Sequence, residues 1–251
     1  MPRFISFRLA VVCALALVLS LSIAASAFAK GVSADLRVVG KGGKVLSEQT
    51  LSTGTTKIKT SKSAKCFGAE NAGSGRSVTV KGATAMGLLA QASKSTAALR
   101  PLLITDAFDF GLGICGIGGN VVSGKASWYL KVNHKGATVG GDALKLKPGD
   151  EVLWDLAPSY PYPNELALEA PDSALPGQPF QVTVVSYDEK GKRKPVSGAT
   201  VTGASGPTDA SGKATVTLSA PAALVATHGK DIPSPAEAVC IGIVCPAGPY
   251  K

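Results

Sequence analysis

The chain has 251 residues, of which 45% are hydrophobic and only 17% charged, and its formal net charge is +9. That balance excludes an intrinsically disordered chain, and the length allows one or two domains. With two histidines and few aromatic residues, the sequence offers little for a histidine-rich metal centre or for a nucleic-acid surface of interleaved aromatic and basic side chains.

Residues 1–29 read as a secretory signal peptide. Arg3 and Arg8 form its basic start, Leu9–Ile23 is apolar except for Ser20 and Ser22, and Ala27-Phe28-Ala29 gives the small-x-small cleavage pattern. The rival reading is an uncleaved membrane anchor, which needs about 20 apolar residues. Cleavage leaves a chain starting at Lys30 that is secreted or held at the cell surface, with membrane contact expected only through the leader. The remaining 24 basic and 17 acidic residues leave a net charge of +7. Its basic runs, Lys57–Lys65 and Lys190–Lys194, offer contact with anionic cell-wall polymer, lipid headgroups or nucleic acid, but they contain no aromatic residue, so the favoured reading is a solvated strand edge and a hairpin loop, and no nucleic-acid partner is expected.

Cys13 leaves with the leader. Cys66, Cys115, Cys240 and Cys245 remain, and in an oxidising compartment they suggest disulfides. Three pairings exist. Cys66–Cys115 with Cys240–Cys245 is favoured because each bridge then lies inside one candidate domain, the longer loop contributing roughly 4 kcal/mol and the shorter roughly 2. A metal site would need thiolates at short paired spacing or neighbouring histidines, so no metal and no cofactor are expected.

From Val32 to Thr60 apolar and polar residues alternate around a Gly40-Lys41-Gly42-Gly43 turn, which predicts an antiparallel hairpin. Thr84–Leu99 predicts the principal helix: Ala85, Leu88, Leu89, Ala92 and Ala97 lie near helical spacing, Thr84 can cap the start and Pro101 follows the end. Strand begins again at Leu102, with Phe108 and Phe110 on one side. Gly111-Leu112-Gly113-Ile114-Cys115-Gly116 matches the dinucleotide-binding fingerprint in letters only. That motif needs a following helix, whereas Gly118, Gly119, Val121 and Val122 lead into another strand.

Ser127–Leu156 is the most patterned stretch and carries both tryptophans. Trp128, Leu130 and Val132 alternate with Tyr129, Lys131 and Asn133, and Val152 and Trp154 with Leu153 and Asp155. The Lys147-Pro148-Gly149-Asp150 run supplies a turn. Gly116-Ile117-Gly118, Ser127–Asn133 and Leu146–Trp154 together resemble the secreted bacterial domains related to the C-terminal domain of transcobalamin. The resemblance spans roughly residues 30–157 and implies a β-grasp-like sheet carrying one helix. His134 departs from it, because the family usually has glycine after the asparagine. The family's domain closes over one face of a corrinoid, but the separate helical barrel that completes that site has no counterpart in this sequence. Trp128, Tyr129, Asn133 and Trp154 are the candidate ligand-binding residues, since aromatic faces suit flat or sugar-like ligands. The plainer reading makes the rings core.

Residues 158–165 form a proline-paced linker. In 166–241 about seven short strands at regular spacing predict an immunoglobulin-like β-sandwich, and Gly177–Val184, Pro195–Val201 and Thr208–Leu218 are similar to bacterial immunoglobulin-like and carboxypeptidase-regulatory-like modules. Residues 242–251 form a tail. The predicted fold class is mainly β with one principal helix.

No catalytic constellation emerges. His134 and His228 read as loop residues, no Gly-x-Ser-x-Gly elbow occurs, and Asp142, Asp150 and Asp155 read as turn and edge residues. Asp188, Glu189 and Asp209 are too few for the six to eight oxygens calcium takes. The expected function is that of a noncatalytic extracellular or cell-surface binding or adhesion protein whose partner is an unknown ligand or envelope component. The alternatives are a small-ligand carrier, with a corrinoid as the family-implied ligand, and an envelope spacer. A carrier predicts an apolar pocket beside Trp128 and Trp154.

Overall fold

The computed structural model describes residues 31–246; the leader read in 1–29 and the last five residues of the tail lie outside them. Strands β1 (Val32–Val39) and β2 (Val45–Thr53) form the predicted hairpin, and β3 (Thr56–Lys59) pairs with β4 (Ser77–Val80). Helix α1 (Ala85–Ser95) follows. The Thr84 hydroxyl accepts from the Gly87 N–H at 3.0 Å, satisfying one of the free amides of the first turn, and a short 3-10 turn, Ala97–Leu99, finishes the predicted helical stretch.

Next, β5 (Leu102–Phe108), β6 (Gly111–Ile117) and β7 (Asn120–Val121) make an antiparallel sheet. The fingerprint-like glycines lie in β6, which pairs with strands on both sides and does not lead into a helix. Strands β8 (Ser127–Val132), β9 (Lys135–Gly136) and β10 (Glu151–Ala157) join the first hairpin in a five-stranded sheet of order β2-β1-β10-β8-β9. β10 runs antiparallel to β8 and parallel to β1, placing Trp154 between Leu130 and Val38. One face of this sheet buries Ala34, Leu36, Val38, Leu130 and Val152 against Met86, Leu88 and Leu89 of α1, which supplies the first lobe's core.

The second lobe holds nine short strands among the described residues: β11 (Glu165–Glu169), β12 (Ser173–Ala174), β13 (Pro179–Tyr187), β14 (Arg193–Pro195), β15 (Thr200–Val201), β16 (Lys213–Thr217), β17 (Ala222–Leu224), β18 (Ala226–Thr227) and β19 (Glu237–Ile241). Central β13 pairs antiparallel with β11, β14 and β16, while β19 lies between β12 and β17. Inward residues Leu166, Val182, Val184, Val216, Leu224 and Val239 form a separate core. The protein is therefore mainly β, with one α-helix among the described residues. Both favoured disulfides are present, Cys66–Cys115 and Cys240–Cys245.

The two lobes belong to one compact unit, so residues 158–165 connect halves that pack together. Their seam lies on the other face of the five-stranded sheet. Period-two alternation puts Arg37, Lys131 and Asp155 there, a pattern that ordinarily means a wet face. Instead the second lobe covers it: Ile232 packs on Val39 and Leu153, Glu165 reaches Arg37, and the Gly136 N–H donates to the Glu189 carbonyl at 2.8 Å.

Candidate functional site

A cleft of about 450 Å³ opens beside the two tryptophans. Its walls come from the β5–β6 hairpin, β8, the Ala137–Gly141 loop, Phe67 and Tyr162, and no charged residue lines it. Local sequence explains why rings can gather here. A side chain at Gly113 would place its Cβ 2.6 Å from the Phe108 ring, and one at Gly141 would place it 2.7 Å from the Trp154 ring. Both glycines thus let an aromatic ring lie flat on the backbone. The disulfide ties Cys66 to β6 and presents its neighbour Phe67, which is exposed.

Phe108 and Phe110 stack at 4.9 Å and 9°, with Phe110 77% exposed at the rim. On the opposite side Tyr129 stacks on Tyr162 at 3.9 Å. Trp154 forms the floor, only 4% exposed, and Trp128 is half-buried. The indole Nε1 atoms of both tryptophans are buried and have no hydrogen-bond acceptor. Nearby, the Asp142 carboxylate accepts from the Leu112 N–H through Oδ2, while its Oδ1 is buried without a donor. Buried donors without partners cost roughly 1–3 kcal/mol each.

Of the four predicted ligand-binding residues, three line this cleft: Trp128, Tyr129 and Trp154. Asn133 lies elsewhere. It occupies the β8–β9 turn with φ of 50°, donates to Asp150 Oδ1 at 2.9 Å and accepts from the Glu151 N–H at 2.9 Å, clasping the Pro-Gly-Asp turn. Phe67, Tyr162, Val139 and Gly141 are additions from the structure. Beyond the predicted Trp128, Tyr129 and Trp154, only the Phe108/Phe110 alternation carried a sequence signal for the wall, because Phe67, Tyr162 and Val139 arrive through a disulfide, a linker and a loop.

The seam holds a second cluster. Arg37 Nη2 lies 2.6 Å from Glu165 Oε1, Lys131 Nζ lies 3.3 Å from Glu165 Oε2 and donates to the Tyr187 carbonyl at 3.2 Å. His134 stacks on Tyr187 at 3.9 Å and 5°, with Nδ1 3.3 Å from Glu165 Oε2. His134 sits in the β8–β9 turn, the loop position expected of it, and packs into the seam, whereas Asp155, expected at a turn or edge, is buried within β10 at 5% exposure. Burial pushes the Asp155 carboxyl up to about 7 against the pull of Arg37 and Lys131. Burial also acts to raise Glu165, but His134, Arg37 and Lys131 outweigh it and hold that carboxyl at about 2. Burial lowers Lys131, with Glu165 opposing. Burial and then Glu189 raise the Tyr129 phenol to about 12.

Two further hollows flank the seam. One of about 160 Å³ is lined by Arg37, His134 and several carboxylates, and a larger open groove of about 880 Å³ is bounded by glycine and proline turns with His228 as its one ring besides the prolines. Asp188 and Asp209, considered above for calcium, each close their own turn by accepting backbone N–H groups, from Lys190 and Lys192 and from Ser211 and Lys213. Compared with protein families, curated proteins and solved structures, the chain matches none.

Proposed function

We propose that the chain is a noncatalytic, exported binding protein whose aromatic cleft holds a neutral, flat and largely apolar ligand. One observation carries the reading: both tryptophans of the chain stand at a cleft lined by aromatic rings and by no charged residue. Its volume falls within the range of small-molecule sites, and its composition supplies π faces with few polar groups to fix orientation.

The finer fold reading belongs to the same proposal. The mixed five-stranded sheet with α1 on one face supports a β-grasp-like first lobe resembling the transcobalamin C-terminal domain. The antiparallel pairings around β13 and the separate β12-β19-β17 sheet support an immunoglobulin-like second lobe. Export draws support from the two disulfides, and no helix of the described residues is long and apolar enough to cross a membrane.

Because the only two tryptophans sit at the cleft, their fluorescence reports on it directly. The exported chain, recovered from its host, is weighed by native mass spectrometry and then titrated with a corrinoid, a neutral polycyclic aromatic and cell-wall fragments. A bound small mass, or saturable quenching that Trp128→Ala weakens at least tenfold, is the expected result. An unliganded mass with no change in fluorescence or melting for any probe would refute the carrier and favour adhesion or a spacer.

A further inference from the structure

Strands β3 and β4 form a two-stranded ribbon whose two faces are chemically opposite. Alternation turns Ile58 and Val80 inward, into the core they share with α1, and turns Lys57 and Lys59 of β3 outward with Ser77 and Thr79 of β4. The register sets Lys57 opposite Thr79 and Lys59 opposite Ser77, so each exposed ammonium has a hydroxyl across the ladder. The row continues past both ends. Lys62 lies along Gly75, where an added Cβ would meet its Cε at 3.1 Å, and at the other end Lys145 Nζ donates to the carbonyl of exposed Lys81.

From this geometry we infer that the outer face of the ribbon is a docking surface for a linear phosphodiester polymer of the cell envelope, whose successive phosphates lie along Lys62, Lys59, Lys57 and Lys81. Charge selects the partner first. Residues 55–82 hold six basic side chains and one acid, Glu70, which stands outside both strands in a short 3-10 turn, Ala69–Asn71. Among the described residues none of the four lysines has a carboxylate within ion-pair distance. Asp106, the carboxylate bonded to the ribbon's end, is engaged by the Ser74 N–H at 2.7 Å and the Ser74 hydroxyl at 2.6 Å. Like charges gathered on one face repel, and a polyanion laid along them relieves that repulsion.

The kind of polyanion follows from what the face carries and lacks. Alternate residues of a strand stand about 7 Å apart, so the row meets separate charges of an extended chain in succession. Its cations are lysines, point charges that suit phosphate, whereas a carboxylate polymer is better matched by arginine forks. The arginine of the segment, Arg76, turns its Nε to the Ser74 hydroxyl at 3.3 Å. No aromatic side chain faces outward from β3 or β4 to stack a nucleobase, and no apolar one to enter lipid. The face is also set in advance: the Thr60 N–H donates to the Arg76 carbonyl at 2.9 Å and the Gly82 N–H to the Thr55 hydroxyl at 3.0 Å, closing the ladder at both ends.

Titration of labelled poly(glycerol phosphate) with the exported chain, read by fluorescence anisotropy, tests the inference. The assay contains no cleft ligand, so its failure leaves the carrier reading untouched. Lys57→Gln combined with Lys59→Gln should weaken binding about tenfold or more at about 50 mM salt and should flatten its salt dependence. The melting temperature should stay the same or rise, because both side chains are exposed and the change removes repulsion. Lys190→Gln with Lys192→Gln removes the same charge from a turn of the second lobe and should leave the affinity within about twofold. Equal losses for the two pairs, or no binding by the parent, would overturn the inference. So would a single-stranded oligonucleotide, or vesicles containing phosphatidylglycerol, that bound the face more tightly at equal charge, which would assign it to nucleic acid or to a membrane.

Discussion

Replacing Asp155 by asparagine tests the seam most directly, because asparagine copies the protonated carboxyl in size and neutrality. The folded-state value of about 7 against an ordinary 3.8 means that the folded protein keeps this proton when the unfolded chain has lost it. An acid shifted upward in the fold makes stability fall as pH rises from about 4 to about 7, and the loss levels off above that. The full penalty is about 4 kcal/mol, of which about 3 develops between pH 5 and pH 8. Glu165 works in the opposite sense: held at about 2, it stabilises fully above its ordinary 4.5, and that contribution is lost as pH falls toward 2. Together they place the seam's optimum between about pH 4 and 5. Urea unfolding of parent and Asp155→Asn at pH 5 and pH 8 isolates the Asp155 part, since all other groups are shared. The variant should gain about 3 kcal/mol over the parent on going from pH 5 to pH 8. A difference between the two proteins that stays constant from pH 5 to pH 8, or that moves against the variant, would show that Asp155 is ionised in the fold and refute the reasoning.

Gly141→Ala should cost about 1–3 kcal/mol and shift the tryptophan emission, because the new Cβ meets the Trp154 ring at 2.7 Å and an aromatic floor cannot swing aside as a flexible tip would; emission identical to the parent's would mean that the loop yields instead. Removing the Cys66–Cys115 bridge by paired serines frees a separation of 49 residues and should cost roughly 4 kcal/mol in chemical denaturation. The same change should weaken any cleft ligand, because Phe67 loses its tether. Glu165→Gln leaves Arg37 and Lys131 without their shared counter-charge and should cost about 3–5 kcal/mol. That cost should be larger by about 1 kcal/mol in the Asp155→Asn background, where no second carboxyl remains to ionise; a strictly additive double-mutant cycle would deny the coupling.

Local rules found what local rules govern. The β1–β2 hairpin follows from alternation and a glycine turn, α1 from spacing and the Thr84 cap, and the disulfide pairing from keeping each bridge within one half. The apolar face carrying Trp154 is likewise visible at period two. The seam was hidden for a physical reason: a sheet face covered by an ionic partner and one covered by water both carry polar residues. Arg37, Lys131 and Asp155 therefore look like a wet face until Glu165, far away in sequence, is brought against them. The same logic separates the cleft residues. Trp128 and Phe108 stand on patterned strands, but Phe67 is placed by a covalent bridge and Tyr162 by the path of a linker, and neither leaves a periodic trace.

Tyr129 links cleft and seam. Its ring stacks on Tyr162 in the cleft wall, while its hydroxyl faces Glu189 of the second lobe at 3.4 Å and its neighbour in the ladder is Asp155 of the buried cluster. Tyr162 itself lies only three residues before Glu165, the anion that holds Arg37 and Lys131. One short connection therefore supplies both a ring of the cleft and the counter-charge of the seam. Packing of the lobes positions the linker, and the linker completes the aromatic wall. A fragment ending at residue 157 would lose Tyr162 and expose Tyr129, Lys131 and Asp155 to water at once. The cleft is thus a property of the packed chain, and its ligand affinity should follow the integrity of the seam rather than that of the first lobe alone.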